Sequence, residues 1–141
     1  MHHDDQLAEL ARAWDDAAQG YDAYFVPRFA PWAARAVAAL DRPLPPGALS
    51  VPCAGTGPEL VALAERHADR TIVGRDLSPG MVAIARTRTA RYPNVRVEVG
   101  DASDTSAWEP CAAVLSVFGL QQLLEPAASL RDKLVHRHGV G

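Results

Sequence analysis

The sequence predicts an α/β protein with a parallel β-sheet, and three observations lead to this fold class. After residue 47, short apolar runs alternate with helical stretches. The runs are continuously apolar, as in Ala113, Val114 and Leu115, which is typical of strands buried on both faces. Turn residues separate the runs from the helices. A βαβαβ alternation of this kind implies a parallel sheet with right-handed crossover connections.

The elements of this sheet domain follow from the apolar spacing. Strands are expected at residues 48–53, 71–76, 95–99 and 112–118, and helices at residues 58–67, 79–91 and 126–135. Ser78 is expected to cap the second of these helices, because a serine oxygen accepts a hydrogen bond from the first-turn amides. Pro79 then occupies the first helical position, which tolerates its missing N–H.

A helical cap is expected before the sheet. Apolar side chains recur at helical spacing from Leu7 to Tyr21. Asp4 or Asp5 is the expected N-cap of this helix, and Gly20 is its expected end. The sequence therefore predicts a first helix of four to five turns.

The cap ends after a second helix, which is expected at residues 31–40. Residues 42–47 contain three prolines and a glycine, which cannot continue a helix. We therefore divide the chain into a cap or lid at residues 1–47, a sheet domain at residues 48–135 and a flexible tail at residues 136–141.

Composition and charge exclude several classes of function. The net charge of −3 argues against a nucleic-acid partner, because phosphate binding needs clustered Lys and Arg. Arg86, Arg88 and Arg91 do cluster, but on a helical stretch where we expect a solvated face. Neither a signal peptide nor an apolar run of ~18 residues is present, so no membrane association is expected.

The two cysteines, Cys53 and Cys111, both lie in apolar, strand-like runs. A disulfide scaffold or a zinc site needs more ligands at closer spacing. We therefore expect buried, reduced thiols, no metal site and a cytoplasmic location.

A glycine-containing loop follows the first strand. Gly55 and Gly57 stand at a strand-to-helix turn, where the absence of a Cβ lets a ligand approach the backbone, although a tight turn without a ligand is the alternative. Leu60 occupies the third-glycine position of a dinucleotide fingerprint, and a phosphate loop would need a GK[ST] sequence that is missing. Pro58 removes an N–H where a pyrophosphate needs donors. The loop favours a nucleoside ligand without a diphosphate.

Two carboxylates follow the next two strands. Asp76 ends the second strand, where it can accept both ribose hydroxyls of a nucleoside. Asp101 follows the third strand and can accept a hydrogen bond from an adenine amino group. Each has a structural alternative, which is capping of the next helix for Asp76 and a turn of its own for Asp101. Together, the glycine loop and the two acids indicate nucleoside binding.

Three stretches resemble class I S-adenosylmethionine (SAM)-dependent methyltransferases. Residues 51–57, 72–81 and 100–102 are similar to motifs I, II and III of that family, and are closest to the type-11 and type-25 domains of its small-molecule branch. Residues 14–22 resemble the N-terminal helix that covers the cofactor in many members. The resemblance implies a Rossmann-like fold with strand order 3-2-1-4, and methyl transfer from SAM to a small-molecule acceptor.

The resemblance also implies which residues bind SAM. Those of the loop would lie beneath its methionine part, namely Cys53, Ala54, Gly55 and Gly57. Asp76 would hold the ribose, and Ser116 and Val117 would face the methionine end and the acceptor. Tyr21 would reach the cofactor from the lid, with packing inside the cap as its alternative.

The adenine end of the cofactor is assigned to the segments after the second and third strands. The resemblance implies that Leu77 and Met81 line the adenine pocket, and that Asp101 and Ala102 meet the edge of the base. It assigns no catalytic base, because acceptor-side residues of this family usually come from the lid and from loops after the fourth and fifth strands.

The sequence departs from the family pattern in two places. Val51 stands where the family usually has an acidic residue, and Cys53 replaces the first glycine of motif I. Glu59 can compensate for the missing acid, although a Glu in a first helical turn also suits the helix dipole. The family fold continues through three more strands that the C-terminal residues do not match. A truncated domain is therefore expected, whose exposed fourth strand favours a homodimer.

Two rival functions stay open on the sequence. A catalytically silent SAM-binding or interaction module would bind SAM without methylating an acceptor. An NAD-dependent oxidoreductase is the second rival, and Pro58 and the absent third glycine argue against it. Competition between SAM and NAD for the protein would test this rival.

Overall fold

A computed structural model describes residues 2–104 and 110–117 of the chain. The elements in chain order are α1 (His3–Ala38), β1 (Ala48–Pro52), α2 (Pro58–Arg66), β2 (Ile72–Asp76), α3 (Pro79–Thr89), β3 (Val95–Val99) and β4 (Cys111–Val114). The strands form one parallel sheet in the order β3-β2-β1-β4. The predicted α/β class and strand order are confirmed. Phe118, the helix expected at residues 126–135 and the tail lie outside the described residues.

The N-terminal cap is one helix rather than two, which corrects the prediction. α1 runs for 36 residues and continues through Gly20, Pro27 and Pro31. A helical glycine costs only about 1 kcal/mol relative to alanine, and a proline about 3 kcal/mol, so tertiary packing can outweigh both. α1 packs against both α2 and α3, and its buried residues are Ala18, Ala33 and Val37. The glycine and proline residues therefore predicted the wrong end for this helix.

The N-terminal end of α1 also differs from the prediction. His2 is at the N-cap position and makes no side-chain capping bond, whereas Asp4 and Asp5 lie inside the first turn. Carboxylates in a first turn stabilise a helix through its dipole without being caps. At α3 the prediction is confirmed, because the Ser78 hydroxyl accepts the Met81 amide at 3.1 Å.

The parallel register brings the carboxyl ends of the strands to one edge of the sheet. Pro52 pairs with Arg75, and Asp76 pairs with Val99. The Gly100 amide donates to the Asp76 carbonyl at 2.9 Å, which holds the segments after β2 and β3 side by side. The loops that follow β1, β2 and β3 are therefore neighbours. At the side of the sheet, β4 pairs with β1, and the homodimer expected through β4 stays a prediction.

Close packing between α2 and the sheet fixes the start of this edge. Leu60 and Leu63 of α2 are fully buried in the core. A Cβ at Gly74 would lie 2.7 Å from Leu60 Cδ1 and 3.3 Å from the Ala54 Cβ. Glycine at this position therefore allows α2 and the loop before it to lie directly on β2.

The solvated face predicted for Arg86, Arg88 and Arg91 is only partly observed, because Arg88 is half-buried. Arg86 donates to the Val97 carbonyl at 2.8 and 3.0 Å, and Arg88 forms an ion pair with Asp22 of α1. Arg86 and Arg91 are both exposed. Long arginine side chains reach partners on distant elements, which helical periodicity does not reveal.

Candidate functional site

The loop between β1 and α2 has three residues with left-handed backbone. The φ angle is +53° at Cys53, +59° at Gly55 and +85° at Gly57. Left-handed φ is uncommon for a residue with a Cβ, so Cys53 occupies a position that suits glycine. Cys53 is partly exposed in this loop, whereas Cys111 is buried in β4, and neither forms a disulfide. The prediction of buried thiols therefore holds for Cys111 and is wrong for Cys53.

The two glycines of this loop have different surroundings. A Cβ added to Gly55 would meet no atom within 4 Å, so the space beside this residue is open. A Cβ added to Gly57 would lie 3.0 Å from the Ala85 Cβ and 3.2 Å from Leu60 Cδ1. Gly57 therefore allows α3 to pack against the loop, and Gly55 is the position where a ligand has room to approach the backbone.

Asp76 joins the loop after β1 to the loop after β2. Its Oδ2 accepts a hydrogen bond from the Gly55 amide at 2.9 Å, and its Oδ1 accepts one from the Ser78 amide at 3.0 Å. Burial raises the pKa of the Asp76 carboxyl, although the backbone hydrogen bonds oppose this rise. An ionised carboxylate has about four acceptor sites, so two amide bonds leave capacity for hydroxyl donors.

The segments predicted to meet adenine have structural roles of their own. Asp101 Oδ1 accepts hydrogen bonds from the Ser103 amide at 2.9 Å and from its hydroxyl at 2.6 Å, which is the turn given above as its alternative. Ala102 and Met81 are buried, and Leu77 is half-buried beside Asp76. Adenine contacts for these residues stay predictions.

The residues after β4 reach the same edge of the sheet. The Leu115 amide donates to the Ser50 carbonyl at 2.9 Å, which continues the pairing with β1. Among the described residues, the buried Ser116 hydroxyl has no hydrogen-bond partner. Val117 follows and lines a cleft described next. An unpaired buried hydroxyl at this position suits a polar ligand group.

A cleft lies between α1 and the loop after β1. Its lining consists of Tyr21, Val26, Phe29, Ala30, Ala33, Cys53, Ala54, Gly55, Thr56, Pro58, Glu59 and Val117. Five of these were predicted from the sequence as cofactor-binding residues, namely Tyr21, Cys53, Ala54, Gly55 and Val117. The other predicted residues lie outside the lining, namely Gly57, Asp76, Leu77, Met81, Asp101, Ala102 and Ser116.

The part of the cleft that α1 contributes was not predicted from the sequence. Val26, Phe29 and Ala33 recur at positions i, i+3 and i+7, the spacing of one helix face. This spacing is visible in the sequence, but a first helix that ends at Gly20 leaves these residues outside it.

Tyr21 both packs inside the cap and lines the cleft. Its ring centroid lies 5.7 Å from that of Trp14 and 5.5 Å from that of Phe25. Burial raises the pKa of the Tyr21 hydroxyl, and the charges of Glu59 and Asp76 add to the rise. Burial also raises the pKa of the Glu59 carboxyl. The cleft therefore contains a poorly solvated carboxylate, which a cationic ligand group would stabilise.

Within residues 2–104 and 110–117, no group of three or more His, Cys, Asp or Glu side chains could hold a metal ion. Nor is any helix in those ranges long and apolar enough to cross a membrane.

The chain matches a known protein family. A family described as a methyltransferase domain matches residues 51–135, which is more than half of the chain. No curated protein matches the sequence.

Solved structures share the fold. A chain of the complex between the Haloferax volcanii Trm112 methyltransferase activator and its methyltransferase is 26% identical, with a TM-score of 0.69 over 84% of this chain and 53% of that one. DhpI, in complex with S-adenosylhomocysteine (SAH), is 22% identical, with a TM-score of 0.68 over 90% of this chain and 63% of that one.

A third structure is Haemonchus contortus phosphoethanolamine N-methyltransferase 1 in complex with phosphoethanolamine and S-adenosylhomocysteine. It is 17% identical, with a TM-score of 0.70 over 98% of this chain and 30% of that one. The present chain therefore spans less than two thirds of each of these three chains.

Proposed function

We propose that this chain, which belongs to the class I SAM-dependent methyltransferases, binds SAM and transfers its methyl group to a small-molecule acceptor. The observation that carries the proposal is the pairing of the Asp76 carboxylate with the Gly55 amide at the carboxyl edge of the sheet. The pairing joins a hydrogen-bond acceptor for ribose hydroxyls to a loop with open space above its backbone.

The residues of this edge fit the parts of SAM. Asp76 suits the two ribose hydroxyls, because an ionised carboxylate accepts several hydrogen bonds. The left-handed loop at Cys53 and Gly55 exposes backbone to the methionine part. Glu59 supplies a negative charge beside that part, although Val51 brings none. The adenine contacts of Leu77, Met81, Asp101 and Ala102 complete the proposed site.

Methyl transfer from a sulfonium is an in-line displacement whose leaving group is already activated by its positive charge. The protein mainly contributes proximity and alignment. In this chain, Asp76 and the loop at Gly55 orient the donor, while Val26, Phe29 and Val117 give the cleft an apolar wall. None of the described residues is assigned here as a general base.

A catalytically silent SAM-binding module is the second candidate. This candidate is compatible with the described residues, because they suit SAM binding and none of them is proposed as a general base. Such a module would bind SAM at this edge without methylating an acceptor. A cytoplasmic location stays a prediction for either candidate.

Calorimetric titration of the chain with SAM, SAH and NAD tests the proposal. We expect SAM and SAH to bind and NAD to leave the titration unchanged, because Pro58 and Leu60 do not suit a pyrophosphate. Binding of NAD in place of SAH would overturn the proposal. Methyl transfer from SAM to small amines and phenols then separates the enzyme from the silent module, which binds without turnover.

A further inference from the structure

Two carboxylates of α1 reach the two loops that flank the proposed cofactor position. Asp15 and Asp22 are seven residues apart, which is close to two helical turns, so both project from nearly the same side of α1. Asp22 contacts the loop after β1, and Asp15 contacts the segment after β2. The spacing of the two acids on the helix matches the separation of the two loops.

The contact of Asp22 holds the loop at the residue between its two glycines. The Thr56 hydroxyl donates to Asp22 Oδ1 at 2.6 Å, and Thr56 is buried. Arg88 donates to Asp22 at 2.9 and 3.2 Å and to the Thr56 carbonyl at 2.7 Å. Burial disfavours the charge of Asp22, but the bonds from Arg88 and Thr56 outweigh this and lower its pKa. Asp22 is therefore ionised at neutral pH.

The contact of Asp15 holds the segment that follows Asp76. Asp15 Oδ1 accepts hydrogen bonds from the Ser78 hydroxyl and from the Gly80 amide, the latter at 2.7 Å. These bonds lower the pKa of the Asp15 carboxyl. The Ser78 amide in turn donates to Asp76, and Asp76 accepts the Gly55 amide. Asp15 is thus linked through a single residue, Ser78, to the carboxylate proposed to hold the ribose.

Gly80 gives an independent indication that this contact depends on close approach. A Cβ at Gly80 would lie 3.0 Å from Asp15 Oδ1 and 3.2 Å from the Asp15 Cα. Its backbone lies outside the left-handed region, so an alanine would suit the helix itself. The absence of a side chain at Gly80 therefore serves the docking of α1 on α3.

We propose that Asp15 and Asp22 are positioning residues, and that α1 clasps both cofactor loops and holds the Gly55 amide and the Asp76 carboxylate at the separation that SAM requires. The inference rests on the proposed function. Its physical basis is a closed path of hydrogen bonds from Asp15 through Ser78, Asp76 and the loop back to Asp22. Cofactor affinity therefore depends on α1 docking, and the dependence is reciprocal.

The test uses the variants Asp22→Ala and Gly80→Ala in the full chain, with Asp16→Ala as the matched control. Asp16 is the exposed neighbour of Asp15 on the same helix. SAH affinity is measured by calorimetry, and amide exchange at Gly55 is measured without ligand. Both test variants are expected to bind SAH about tenfold more weakly than the parent, the loss of roughly one charge-assisted hydrogen bond. Gly55 should also exchange faster in them, and the control should match the parent.

A conservative variant distinguishes positioning from general stability. Asp22→Asn keeps an acceptor for Thr56 and should bind SAH more tightly than Asp22→Ala. Gly80→Ala keeps the propensity of α3, so it tests docking even if Asp22→Ala does not fold. Parent-like SAH affinity or parent-like exchange at Gly55 in Gly80→Ala would overturn the proposal that α1 positions the two loops. A parent chain that does not bind SAH overturns the proposed function instead, while exchange at Gly55 still decides whether the clasp exists.

Discussion

The carboxylate of Asp76 accepts the amide hydrogen of Gly55 at 2.9 Å, although 21 positions separate the two residues in sequence. The pair joins the end of β2 to the loop after β1, where the two strands run parallel and end at one edge. The geometry makes Asp76 both a support for the loop and the acceptor proposed for the ribose.

Replacing Asp76 by alanine should weaken SAM binding by about 1.5–3 kcal/mol, the range for hydrogen bonds to a charged group. Calorimetric titration with SAM gives the difference. Asp69→Ala, at an exposed aspartate between α2 and β2, is the control and should bind like the parent. Equal SAM affinity in Asp76→Ala and the parent would contradict the ribose assignment.

The affinity for SAH should fall as the pH falls through the raised pKa of Asp76, because the protonated carboxyl cannot accept both ribose hydroxyls. The effect of pH on the stability of the fold has the opposite sign. A carboxyl whose pKa is raised by folding binds its proton more tightly in the folded state, so its contribution to stability improves over the same fall in pH. Titrations and melting curves from about pH 7 to about pH 4 measure both trends. In Asp76→Asn both trends should be smaller than in the parent, and the remainder is expected from Glu59, whose pKa is also raised by burial. Trends as large as those of the parent would contradict the assignment to Asp76.

Asparagine at the two loop glycines should separate ligand access from packing, because both positions are left-handed and asparagine tolerates that backbone. Gly57→Asn should destabilise the fold by about 1–3 kcal/mol, since its side chain meets Ala85 and Leu60. Gly55→Asn should keep the parent's melting temperature and lose the increase that SAH produces. Thermal melts with and without SAH measure both, and an SAH-dependent increase in Gly55→Asn would mean that the loop is only a turn.

Glu59→Gln should weaken SAH binding by about 1.5 kcal/mol, because Glu59 is the carboxylate in the described lining of the cleft and SAH carries an ammonium group. The affinity for 5′-methylthioadenosine, which lacks the amino-acid part, should not change. Glu65→Gln on the exposed side of α2 is the control. Equal losses for both ligands would indicate that Glu59 supports the loop and does not meet the ammonium group.

Local sequence features were sufficient to predict much of the fold of this protein. The parallel sheet and its helices could be predicted from the prolines and glycines between elements, from the cap at Ser78 and from the continuous apolar runs. The parallel sheet then implied that the glycine loop and Asp76 meet at one edge, since parallel strands of one sheet end on the same side. Motif resemblance added the strand order, which the structure confirms.

The length of α1 and the contacts that it makes were decided by the tertiary structure alone. Gly20, Pro27 and Pro31 carry local penalties against helix formation, and α1 continues through them while it packs against α2 and α3. The bonds of Asp15 and Asp22 join residues 63 and 34 positions apart, and Arg88 reaches Asp22 across 66. Such contacts depend on where whole elements lie, and no local pattern of charge or hydrophobicity encodes that position.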